Sequence, residues 1–127
     1  MREILFRAWH TKQKRMYSPE EMAADQLTLL TTGYFINVSG TSTKLSKIDF
    51  DYVLIPLQFT GLLDKHGKKI FEGDIFNYGG KRNFVVIFHK GYFCYKSGPN
   101  EYHIFDETQV EVIGNIYENP ELLKGDL

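Results

Sequence analysis

The sequence predicts a mainly β protein of the α+β class: short strands closing into a small barrel or sandwich, with a β-hairpin and one short helix at the N-terminal end. Three observations carry this expectation. Eight Tyr, ten Phe and one Trp among 127 residues supply side chains that favour a pleated, half-buried surface. Short apolar runs recur at close spacing, with Gly-bearing polar segments between them. One place, Ser18-Pro-Glu-Glu21, has the strongest signature of a helix start, with Ser at the N-cap, Pro at the first helical position and Glu at the third.

Taken in order, Ile4-Leu-Phe-Arg-Ala-Trp9 alternates with period two, placing Ile4, Phe6 and Ala8 on one face and Leu5, Arg7 and Trp9 on the other. His10 to Arg15 is a polar hairpin loop, and Met16-Tyr17 begins the return strand, with Met16 and Trp9 at the hairpin's base. The capped helix is short, because Asp25 precedes a Leu27-Thr-Leu-Leu30 run whose composition suits a strand as well as a helix, and a strand is preferred to a helix running on to Leu30. Thr31-Thr-Gly33 turns into a returning strand over Tyr34 to Val38. Ser39 to Lys47, rich in Ser, Thr and Gly, is the expected linker between an N-terminal region at 1–48 and a barrel at 49–127, the two forming one compact unit. Tyr52 to Phe59 is a strand whose Pro56 belongs on an edge or at a bulge. Strands follow at Asp74–Tyr78, Phe84–Phe88, Tyr92–Tyr95, Tyr102–Phe105 and Val110–Ile116, with loops at Gly79-Gly80, Lys90-Gly91 and Ser97–Asn100. Asn119-Pro-Glu-Leu-Leu123 opens a last helical turn.

The chain is organised around Leu57 to Tyr78. Two tetrads there, Asp64-Lys-His-Gly67 and Glu72-Gly73-Asp74 with its neighbour, read as tight turns, because Gly reaches positive φ without strain and Asp bonds its own backbone two residues on. The segment Phe59-Thr-Gly-Leu-Leu-Asp-Lys-His-Gly-Lys-Lys-Ile-Phe-Glu-Gly-Asp-Ile75 resembles the central signature of the YopX family, small proteins of bacteriophages and prophages. Arg2 to Trp9 with its basic turn, and Val112 to Leu123, match two further blocks, whereas Ser18 to Lys47 matches none. The signature positions are Gly61, Gly67, Gly73, Asp74 and Gly114. The resemblance implies an SH3-like small β-barrel in the C-terminal part and a phage or prophage protein of the bacterial cytoplasm. It carries over no activity, cofactor or catalytic residue.

Composition narrows the function classes. A single cysteine, Cys94, excludes an intramolecular disulfide and a cysteine-cluster zinc site, and fits a reducing cytosol. The N-terminus lacks the apolar segment of a signal peptide, and no run reaches the roughly 20 apolar residues of a membrane span, so no membrane partner is expected. The net charge of −1 is unevenly spread. Met1 to Arg15 holds five basic residues against Glu3, a net of +4, while Glu101 to Leu127 holds seven acids against Lys124, a net of −6. Such a separation points to an anionic partner or to ends that attract each other.

Cys94 sits between aromatics in Tyr92-Phe-Cys-Tyr95, as a buried small hydrophobe would, rather than as an activated nucleophile. His89, Cys94 and His103 lack the short ligand spacing of zinc sites, while His10 and His66 are expected in solvated loops; no metal and no cofactor is expected. Glu72 and Asp74 flank a turn and read as structural, and neither phosphate-loop motif is present. The expected function is a non-enzymatic module that binds a host or phage protein or assembles with itself as a homo-oligomer. The alternative is a nucleic-acid-binding accessory protein using the basic N-terminal hairpin, with Lys65, Lys68 and Lys69 as a second cluster. Candidate contact residues for either reading are Arg7, Trp9, Lys14, Arg15, His66, Lys68 and Tyr92.

Overall fold

A computed structural model describes residues 3–29, 31, 35–37, 54–97, 100–102 and 107–123, with 35–37 and 100–102 described as backbone. The expected linker at 39–47 and the turn at Thr32-Gly33 lie outside these residues. Among the described residues the protein is mainly β, with one short α-helix and two 3-10 turns. It divides into two compact units: Leu5–Leu57, and Met1–Ile4 together with Gln58–Leu127.

In the first unit, β1 (Phe6–His10) and β2 (Arg15–Tyr17) form the expected hairpin, with Trp9 opposite Met16 and His10 opposite Arg15. Its turn closes through Lys14, whose N–H donates to the His10 carbonyl at 2.9 Å. Helix α1 (Pro19–Ala24) starts as the sequence requires. The Ser18 hydroxyl accepts from the Glu21 N–H at 3.1 Å, and the Glu21 carboxylate accepts from the Ser18 N–H at 3.2 Å. Gln26, at φ +59, turns the chain out of the helix into β3 (Leu27–Leu29), which pairs antiparallel with β4 (Phe35–Asn37). Ala8, Tyr17, Met22 and Leu54 form the buried core here, with Leu27 and Leu29 packed against it.

Strand β5 (Leu54–Leu63) belongs to both units and neighbours β1, so β1 is flanked by β2 and β5. β5 also runs four residues past the expected end at Phe59. A register shift between Phe59 and Leu63 accommodates Gly61 at φ +90, and the ladder with β6 (Lys69–Phe71) then resumes. Pro56 lies before the residues that pair with β6, where its missing N–H breaks no rung of that ladder.

The second unit carries a five-stranded antiparallel sheet in the order β10-β9-β8-β7-β11. Its strands are β7 (Asp74–Tyr78), β8 (Arg82–His89), β9 (Tyr92–Ser97), β10 (Asn100–Tyr102) and β11 (Val110–Asn115). β10 starts two residues before the expected strand at Tyr102, and 103–106 lie outside the described residues. Phe76, Phe84, Val86, Tyr95 and Val110 pack with Ile70 into one buried cluster. They fall at every second position of their strands, as one sheet face demands. Ile75, Val85 and Cys94, on the opposite face, are buried as well. Cover on both faces explains why Phe84-Val-Val86 is a continuous apolar run rather than an alternating one. Each such side chain contributes roughly 1.5–3 kcal/mol of burial.

Candidate functional site

The central stretch does shape the second unit, through two carboxylates. Asp64 is 7% exposed. Its Oδ1 accepts from the N–H groups of His66 and Lys68, both at 2.9 Å, and its Oδ2 accepts from the Val112 N–H at 3.0 Å. The Lys65 N–H donates to the Val110 carbonyl at 2.9 Å. Val110 and Val112 direct these groups away from β7, so the turn covers the outer edge of β11 like a short extra strand. Burial opposes ionisation of Asp64, but the N–H donors of Val112, Lys68 and His66 outweigh it and hold the carboxyl below its usual range. Asp74, almost fully buried, accepts from the Phe71 N–H at 2.8 Å. Gly73 at φ +88 lets the chain reverse between them, donating to the Val86 carbonyl and accepting from Ile116. Both carboxylates are committed to backbone, so neither stands ready as a general base.

The other signature glycines have equally local reasons. Gly67, at φ +83, closes the Asp64 turn. Gly114 sits at a β-bulge where a Cβ would stand 2.5 Å from Asn119 Oδ1, the atom that accepts from the Asn115 N–H. Asn119 thus ties the end of β11 to the turn that leads into the 3-10 segment Pro120–Leu123.

The contact candidates scatter. Trp9, 6% exposed, is buried and does not present its ring to a partner. Arg7 is half-buried in β1, and Lys14 is exposed in the hairpin turn. Arg15 is held by the Glu21 carboxylate and lies over the Tyr17 ring, 4.2 Å from its centroid. His66 is exposed as expected but stands 3.6 Å from Glu111, which Lys65 also approaches at 3.5 Å. Lys69 pairs with Glu3 at 3.4 Å, and Lys68 remains exposed. His10 corrects the expectation of a solvated loop residue. It closes β1, is 6% exposed, and its Nδ1 accepts from the Gln13 N–H at 3.0 Å. Cys94 is fully buried, and no metal-holding group of His, Cys, Asp and Glu occurs among the described residues. Among the described residues no helix is long and apolar enough to cross a membrane.

One exposed aromatic was missed. Tyr92 lies on the β8–β9 hairpin, 38% exposed, but Phe88, in the adjacent cross-strand pair, is 52% exposed. Half of the signal was available: Phe88 continues the period-two face of Phe84 and Val86 toward the end of the hairpin, while no residue in the sequence marks where the core stops covering that face.

The family model described as YopX protein matches residues 5–124. The chain belongs to the YopX family. Among solved structures, this family member is similar to protein EF1440 from Enterococcus faecalis, at 28% identity and a TM-score of 0.65, with 98% of this chain and 100% of that chain covered. No curated protein matches.

Proposed function

We propose that this YopX family member is a non-enzymatic binding module of a phage or prophage, acting in the bacterial cytoplasm on a protein partner, either a host or phage protein or a second copy of itself. The scaffold we infer for it is an SH3-like barrel in the C-terminal part. Support for the barrel is the strand order: a four-strand meander, β7 to β10, then a 3-10 turn at Glu107–Gln109, then β11 returning to pair with the first strand of the meander. The observation that carries the binding reading is Phe88, a half-exposed aromatic braced on Phe93 at the end of a strand. Several of the cations that a nucleic-acid partner would use are instead engaged by Glu21, Glu111 and Glu3.

Two measurements test this reading together. The folded chain is used to capture partners from a bacterial host, beside a Phe88→Ser variant, and its sedimentation equilibrium is followed over a wide concentration range. Retention of a protein, or a dimer, that the variant loses is the expected result. A strict monomer that retains nothing over the variant overturns it, as does low-salt binding of single-stranded DNA or RNA without any protein partner.

A further inference from the structure

Strands β8 and β9 meet at Lys90-Gly91, a two-residue turn with both φ values positive, +54 and +87. Turns of that kind twist with their strands and fix the register of the pairs beside them. Here Phe88 stands opposite Phe93, and His89 opposite Tyr92. The two phenyl rings are 5.1 Å apart at 68°, and Phe93 packs against the buried cluster of the second unit. Phe88 is therefore braced from across the hairpin while half its surface faces outward. A side chain fixed in this way loses little freedom when something docks on it.

Charge at this end of the hairpin has one sign: from Ile87 to Tyr95, Lys90 is the only Lys, Arg, Asp or Glu, whereas Arg82 lies at the other end of β8, opposite Tyr78, and Lys96 stands opposite Glu101 of β10. Lys90, at the tip, is exposed and forms no ion pair among the described residues, unlike Arg15, Lys65 and Lys69. A polyanion would need a track of cations, since each neutralised phosphate adds its own increment of affinity. The tip offers one lysine two residues along the chain from one anchored ring. That pairing fits a carboxylate beside an apolar side chain.

We propose that the β8–β9 hairpin tip binds an acidic peptide segment, with an apolar partner side chain seated on the Phe88 ring and a neighbouring carboxylate at Lys90. The proposal rests on the protein-binding reading above and names the chemistry of the partner. Tyr92 and His89 point to the other face of the hairpin, so they lie outside the contact.

The full-length protein is immobilised and used to select from a displayed random dodecapeptide library, and enriched peptides are then titrated by fluorescence anisotropy. Enriched peptides should carry Asp or Glu within a few positions of an aromatic or aliphatic residue. Phe88→Ser should weaken them roughly 10-fold or more. Lys90→Glu, a surface change that leaves the apolar contact in place, should weaken them several-fold and remove most of their salt dependence. Tyr92→Ser should change little, and circular dichroism of all three variants verifies their fold. Acid-free peptides, or affinities that Phe88→Ser and Lys90→Glu leave unchanged, overturn this site while leaving the protein-binding reading intact. Preferential binding of a uridine dodecamer overturns it too. Absence of any enriched peptide, together with absence of any captured partner or dimer, removes both.

Discussion

Asp64 holds three backbone N–H groups with one carboxylate, and an amide cannot replace it. Asn has one acceptor oxygen, so Asp64→Asn would turn an NH2 group toward a backbone donor, either Val112 or the pair His66 and Lys68. Losing charge-assisted bonds at a buried site costs about 2–3 kcal/mol, read as a lower denaturant midpoint at neutral pH. The same carboxyl is held below its usual value of 3.8, against the opposing effect of burial. Its contribution is therefore fully present above the unfolded value and disappears as pH falls through the folded one, so wild type and Asp64→Asn should converge at the acid end of a titration. Gly114 makes a different demand, for space. Gly114→Ala should destabilise by about 1–3 kcal/mol, because the methyl meets Asn119 Oδ1 and Cγ. Combined with Asn119→Gly, which removes those atoms, it should cost less than the two single changes added together.

Helix α1 has only six residues, too few to persist on propensity, so its reciprocal cap matters. Ser18→Ala removes the acceptor for the Glu21 N–H and should lower stability by about 0.5–2 kcal/mol, measured by chemical denaturation. The β1–β2 hairpin has its own pH response. Burial is the main reason that His10 titrates below its usual 6.5, its own backbone contact opposes this, and Lys12 adds to the lowering. The folded hairpin holds the neutral ring, whose Nδ1 must stay unprotonated to accept from Gln13. Stability from this source is complete above 6.5 and declines as pH drops from there through the folded value; His10→Gln should flatten that part of the profile. Both elements were legible in the sequence, the helix start from four adjacent residues and the hairpin from its alternation. The environment of His10 was not. A polar residue following an alternating strand gives no sign of which neighbours will cover it.

For the molecule as a whole, local signals carried far and long-range ones did not. The strand positions, the Asp64 turn and the reversal at Gly73 followed from residue type and spacing, because period-two patterns and positive φ are properties of short segments. The burial of Trp9, the place of β1 between two other strands and the capture of β11 by Asp64 depend on residues distant in sequence, which no window of adjacent residues contains. Phe88 lies between these cases: its face was readable, its exposure was not. The Asp64 contact with Val112 spans 48 residues and fastens the last strand of the sheet. Chain closure over such a span is entropically unfavourable until the intervening strands are in place, so this contact belongs to the late part of the folding reaction. Interactions absent from the transition state govern how fast a protein comes apart rather than how fast it assembles. In a stopped-flow chevron, Asp64→Asn should steepen nothing and scarcely alter the refolding arm, while raising the unfolding rate by nearly the whole of its equilibrium effect. The carboxylate that closes the edge of β11 would then act as a brake on unfolding, setting the lifetime of the folded state.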